Sequence, residues 1–247
     1  PMKLFLKLTI SLLIVAMLVG AYYLFLRPNE DGSTGAMSAR QNKILAFLGD
    51  PDGHADWMLP AGTVCGGAPF QMPTDGYIGF VWDDSFSPGH HHTGLDIFGG
   101  QKSGQTPVYA AYDGYLTRET GWKSTLIIRI PSDPLQPGRQ IWTYYTHMAD
   151  RLGNDTIVNE FPQGTEEVFV KAGTLLGYQG NYSGDPLNPV GVHLHFSIVK
   201  DDGSGHFLDE REIANTLDPS PYFGMLLNSH ENPADVPLCP VKEQAQP

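Results

Sequence analysis

The chain has 247 residues, 41% of them hydrophobic, with 28 glycines, 20 prolines, nine histidines and two cysteines. That apolar share excludes a wholly disordered chain, and the glycine and proline content favours short strands joined by turns over long helices. Fifteen basic residues stand against 27 acidic ones, for a formal net charge of −12. This excludes a general affinity for nucleic acid, which needs clustered lysine and arginine.

In chain order, the first element is the uncharged stretch 8–26, LTISLLIVAMLVGAYYLFL. As a helix it nearly crosses a hydrocarbon core, so residues 1–27 are expected to form an N-terminal transmembrane anchor. Lys3 and Lys7 before it favour a cytoplasmic N-terminus, and Tyr22 and Tyr23 suit the far interface. The alternative is a signal segment cleaved near the small residues 19–21, which would release a secreted protein. Both readings put the bulk of the chain outside the cytoplasm. Residues 28–60 read as a linker with a short helix that starts at Ser38 and ends at Gly49. Position alone suggests that 57–62, WMLPAG, lies across a groove as an inhibitory strap.

From 61 to 224 short apolar runs alternate with turn residues, the pattern of an antiparallel β domain. The expected strands are GYIGFVW, GLDIF, PVYAAYDGYLTRET (bent at Asp113-Gly114), STLIIRI, IWTYYTHM, EVFVKAGTLLGYQ and HLHFSIV. The proline-rich IPSDPLQPGRQ is a hairpin loop. A short helix is expected near EREIANTL, and 225–247 read as a tail. The isolated pair Cys65 and Cys239, in an oxidising compartment, is a disulfide candidate.

Three segments carry chemistry. In PGHHHTGLDIF, His92 and Asp96 are four apart, so in an extended chain they face the same side, with Gly94 leaving the approach uncrowded. In GVHLHFSIV, His193 and His195 share one face of a strand and Leu194 and Phe196 the other. His147 ends the aromatic strand YYTH. A catalytic zinc site takes three protein ligands and leaves a fourth position open. His92, Asp96 and one of His193 or His195 supply such a set, and the remaining imidazoles suit proton transfer. Spacing leaves open which of the pair is the ligand. His90, His91, His54, His206 and His230 read as loop residues, and Trp122 and Tyr182 as aromatics near the groove.

In this order HTGLDIF, YYTHM and GVHLHFSI resemble the signature segments of the lysostaphin/LytM-type zinc metallopeptidases, with GQTPVYAAYDGYL and VKAGTLLGYQGNYSG similar to the family's connecting segments. The resemblance covers about residues 68–200, roughly half of the chain. It implies a mainly β, antiparallel peptidase domain of the lysostaphin-like, duplicated hybrid motif type, with zinc held by His92, Asp96 and His195 and with His147 and His193 as catalytic histidines. It also implies a metalloendopeptidase acting on peptidoglycan or another extracellular peptide substrate, while the membrane as a partner follows from the N-terminal helix expected over 1–27. The alternative is a non-catalytic, peptidase-like interaction module or an accessory subunit of a membrane complex. Two departures stand out. Ser197 occupies a position where the family often has glutamate, and the loop GNYSGDPLNPVG before HLH is longer than usual. The second bears on substrate preference.

Overall fold

The computed structural model describes residues 38–85 and 89–240, and from Ala39 onward the chain forms one compact unit. The expected membrane helix lies outside the described residues. Among the described residues no helix is long and apolar enough to cross a membrane.

Helix α1 spans Ala39–Gly49. Nine strands follow among the described residues: β1 Tyr77–Phe80, β2 Leu95–Phe98, β3 Pro107–Tyr109, β4 Gly114–Arg118, β5 Leu126–Ile130, β6 Ile141–Thr146, β7 Thr165–Val170, β8 Leu175–Tyr178 and β9 Leu194–Lys200. A short helix α2, Ser220–Phe223, ends at Gly224. Seven strands pair antiparallel in the order β1-β2-β9-β6-β5-β4-β7, and β3 pairs with β8 as a separate ribbon. Two expected strands are split. PVYAAYDGYLTRET becomes β3 and β4, and EVFVKAGTLLGYQ becomes β7 and β8, because each run crosses from one sheet to the other.

Alternation explains the layers. Leu95 and Ile97 of β2, Leu194, Phe196 and Ile198 of β9, Tyr145 of β6 and Leu126 and Ile128 of β5 all enter one core, where Val108 of β3 and Leu176 of β8 meet them. Their sequence neighbours point to the opposite face of the sheet. That face carries Asp96 and His195 at one end and an aromatic cluster of Trp142, Trp122, Tyr144 and Phe207 at the other. Trp122 is therefore a packing residue, edge-on to Tyr144 and Phe207.

The segments expected as linker and tail both contribute to the core. Helix α1 buries Arg40, Ile44 and Phe47, with Phe47 against Tyr77 and Arg40 paired with Asp84 at 2.8 Å. Met225 and Leu227 are buried in the main core. The strap expectation is overturned. Leu59 bridges to Gly76, Ala61 N–H donates to Asp75, and 58–60 line a hollow with Gly99 and Thr106, away from the histidines. EREIANTL forms only a 3-10 turn over Ile213–Asn215, within an otherwise irregular connection.

Cys65 and Cys239 are joined by a disulfide, 174 residues apart in sequence. Closing so long a loop restricts the unfolded chain strongly, by about 5 kcal/mol in the loop-entropy treatment. Replacing both cysteines by serine is expected to lower stability by about 2–5 kcal/mol. Chemical unfolding of the variant beside the parent protein measures this, and equal midpoints would contradict it.

Candidate metal centre

Strand register brings the first two groups together. Asp96 of β2 lies opposite His195 of β9, and His195 lies opposite Thr146 of β6, so the three form one row across the sheet. His147 follows directly, in a left-handed backbone conformation (φ 68°) that turns the chain out of the strand. His92 stands on the loop before β2. Its backbone is tied on both sides to the segment after β1, His92 N–H to Asp84 O and Asp83 N–H to His92 O, each at 2.8 Å.

Two glycines allow the close approach. A β-carbon on Gly94 would stand 2.1 Å from the Phe196 carbonyl oxygen, so only glycine lets the 92–96 segment lie against β9. One on Gly180 would meet the Ala149 carbonyl oxygen at 2.1 Å and that of His147 at 2.4 Å. Gly180 O in turn accepts the backbone N–H of His193. The loops that carry His147 and His193 are thereby held together.

At the centre, His92 Nε2, Asp96 Oδ1 and His195 Nδ1 form a triangle with sides of 3.0, 2.8 and 3.1 Å. For ligand bonds of 2.0–2.1 Å, the edge of a tetrahedral zinc site is about 3.3 Å. The triangle is thus slightly tighter than a filled site. Its hydrogen bonding also fits a metal. His92 Nδ1 lies 2.9 Å from the Val81 carbonyl, which only accepts, so the ring proton sits on Nδ1 and Nε2 presents a lone pair inward. His195 directs its outer nitrogen, Nε2, at Glu210 Oε1 (2.8 Å) and Ser197 Oγ (3.0 Å). Lone pairs and a carboxylate converge on one point, an arrangement that requires a cation. Among the described residues this is the one group of its kind.

Without a metal, a proton fills that requirement. Burial works against charge on His195, but Glu210 and Asp96 prevail and hold the imidazole up at about 10. Burial likewise opposes ionisation of Asp96, yet His92 and His193 keep it well below the usual carboxylate range. Glu210 is drawn down to about 2, its burial outweighed by His195 and by donors from Thr93 and Ser197.

Two further imidazoles face the same space. His193 Nδ1–H donates to Gly191 O (2.7 Å), and its Nε2 lies 3.4 Å from Asp96 Oδ1. His147 Nδ1–H donates to Tyr182 O (2.8 Å), and its ring lies 4.6 Å from that of His193. Tyr182 thus serves through its carbonyl. Loss of solvent, helped by His193 and His195, lowers His147 to about 3. Together these groups line a groove of about 770 Å³, with His90, Tyr144, Thr146, Val190 and Ile213 in its walls. His91 and His230 both pair with Asp83 at its margin, while His54 packs on Trp57 and His206 is exposed beside Asp202.

The residue that sequence reading missed is Glu210. It falls in the stretch expected to be helical, and nothing local ties it to His195. The serine at 197, where the resemblance leads one to expect a carboxylate, is the one available signal.

No protein-family model and no curated protein matches the chain. Solved structures with partial similarity include Csd3 of Helicobacter pylori, at 19% identity over 62% of this chain and 34% of that one, with a TM-score of 0.38. A candidate peptidase M23 of Pseudomonas aeruginosa aligns over 75% of this chain and 61% of its own, at 19% identity and a TM-score of 0.37. The catalytic domain of a mutant of the prophage-encoded M23 protein EnpA from Enterococcus faecalis aligns over 61% of this chain and 96% of that domain, with the same identity and score. The chain thus spans about a third of the length of Csd3.

The depressed His147 predicts an acid-sensitive metal-free protein. Its folded value, about 3, lies below the ordinary 6.5, so between these pH values the unfolded chain binds a proton that the folded one refuses. Stability therefore falls as pH drops through that window. The expected His147 contribution is about 1–2 kcal/mol between pH 7 and 5, and His147→Gln should remove that part of the fall. Denaturant unfolding at the two pH values checks it.

Proposed function

We propose that this chain is a zinc metallopeptidase whose folded part works outside the cytoplasm, on peptide bonds of peptidoglycan or a similar extracellular peptide. One observation carries the reading. Three ligand atoms converge within 2.8–3.1 Å of one another, and two separately anchored imidazoles face the same groove. His92, Asp96 and His195 would hold the metal. Zinc, when bound, supplies a Lewis acid for the scissile carbonyl and lowers the pKa of bound water.

The remaining groups handle the peptide and its protons. His193 and His147 keep their protons on Nδ1, each donated to a backbone carbonyl, so their Nε2 atoms are free to accept a proton from an attacking water. Once protonated, the same nitrogens can stabilise negative charge on the former carbonyl oxygen or return the proton to the leaving amine. Burial lowers the pKa of His147, which favours the neutral, proton-accepting imidazole. The rim of the groove includes the 181–190 loop and the 210–213 segment, which are placed to select the substrate.

The location rests on different support. A disulfide is characteristic of an oxidising compartment. The uncharged stretch 8–26, with Lys3 and Lys7 before it, supports attachment to a membrane with the domain on the outer side.

The purified protein is expected to hold one zinc per chain and to cleave peptidoglycan until a chelator is added. His195→Ala should abolish metal binding and activity together. His193→Ala should keep the metal and lose about 10²–10⁴-fold in rate. Metal analysis alongside release of free amines from peptidoglycan decides this; hydrolysis that survives both chelation and His195→Ala would refute it.

A further inference from the structure

The His195 imidazole is gripped from behind by a carboxylate that belongs to no strand of the sheet. Glu210 lies in the irregular connection between β9 and α2, 15 residues beyond His195, yet its side chain is only 13% exposed. One of its oxygens, Oε1, receives three donors: His195 Nε2 at 2.8 Å, Ser197 Oγ at 2.7 Å and Thr93 Oγ1 at 2.7 Å. The three come from both halves of the centre. His195 and Ser197 stand two apart on one face of β9, and Thr93 directly follows His92. Burying a carboxylate is costly unless it is fully hydrogen-bonded. Here every donor that meets it comes from a metal-ligand residue or from a side chain beside one.

We infer that Glu210 is the positioning residue of the metal centre. It fixes the proton of His195 on Nε2, leaves Nδ1 as the ligand atom, and sets metal affinity without touching the metal. The inference rests on the metal-centre reading and deepens it. Without the carboxylate, the ring can move its proton to Nδ1 or rotate toward Ser197, and either change removes a ligand. Thr93 and Ser197 hold the carboxylate in place, which couples the loop carrying His92 to the strand carrying His195. Glu210 also adds negative charge behind an imidazole whose electrons the metal draws on, making that ligand more basic.

The geometry supplies a rescue. Ser197 Oγ is 3.0 Å from His195 Nε2, so a carboxylate built at 197 on the same strand face reaches the same nitrogen, in the space that truncation of Glu210 vacates. Zinc affinity is measured on the 247-residue chain by competition with a chromophoric chelator, with thermal unfolding of each metal-free protein recorded in parallel. Glu210→Ala is expected to weaken zinc binding about 10–100-fold. The isosteric Glu210→Gln should weaken it less, and Ser197→Glu in the Glu210→Ala background should restore most of the loss. A purely structural role would lower the unfolding temperature of Glu210→Ala and leave the zinc affinity of its folded fraction unchanged. Wild-type affinity in both Glu210→Ala and Glu210→Gln overturns the inference while the metal centre stands. A wild-type chain that takes up no zinc overturns the metal centre and the inference with it.

Discussion

The convergence of His92 Nε2, Asp96 Oδ1 and His195 Nδ1 on one point is the constraint to which the rest of the site answers. Each atom offers electrons, and two of the three residues that carry them are buried. Such a group is stable only with a cation among its members, either a proton or a metal ion. The raised His195 and the depressed Asp96 are two expressions of that one requirement, read from its two sides.

Holding electron-rich atoms this close needs a stiff frame, and the sheet supplies it through register. The pairing of Asp96 with His195, one strand in from the edge, sets their separation through backbone hydrogen bonds that neither side chain can relax. A shift of β2 by one residue would turn Asp96 into the core and bring Leu95 or Ile97 to the groove. The orientation of the rings is a separate task, done by acceptors outside the strands. Val81, Gly191 and Tyr182 provide carbonyls, and Glu210 provides a carboxylate. Every histidine of the site therefore has one nitrogen committed to the scaffold and the other directed to the groove.

The division of labour across the sheet follows from the same alternation. One face buries leucine, isoleucine and phenylalanine against the β3–β8 ribbon, and that core gives the strands their rigidity. The other face is free to carry titratable groups, and its aromatic end around Trp142 and Phe207 packs the region beyond them. Helix α1 and the segment after α2 close the unit from the N- and C-terminal sides, helped by the Arg40–Asp84 pair and by the disulfide.

Much of this was legible in the residue order. Strand alternation gave the antiparallel character, and the four-residue spacing of His92 and Asp96 and the two-residue spacing of His193 and His195 placed each pair on one face, because those relations are local and follow from the period of an extended chain. The packing of 39–49 and 225–227 into the core was not legible, since α1 is short and weakly patterned and its burial depends on a partner surface formed by β1. EREIANTL has helical composition, yet Glu210 is drawn out of any helix by three donors that lie elsewhere in the chain. Sequence by itself thus determined which residue types were present and which faces they shared. Only the tertiary structure decided which atom of each histidine faces the centre and that Glu210 stands behind His195, because both depend on hydrogen-bond partners brought together by folding from distant positions.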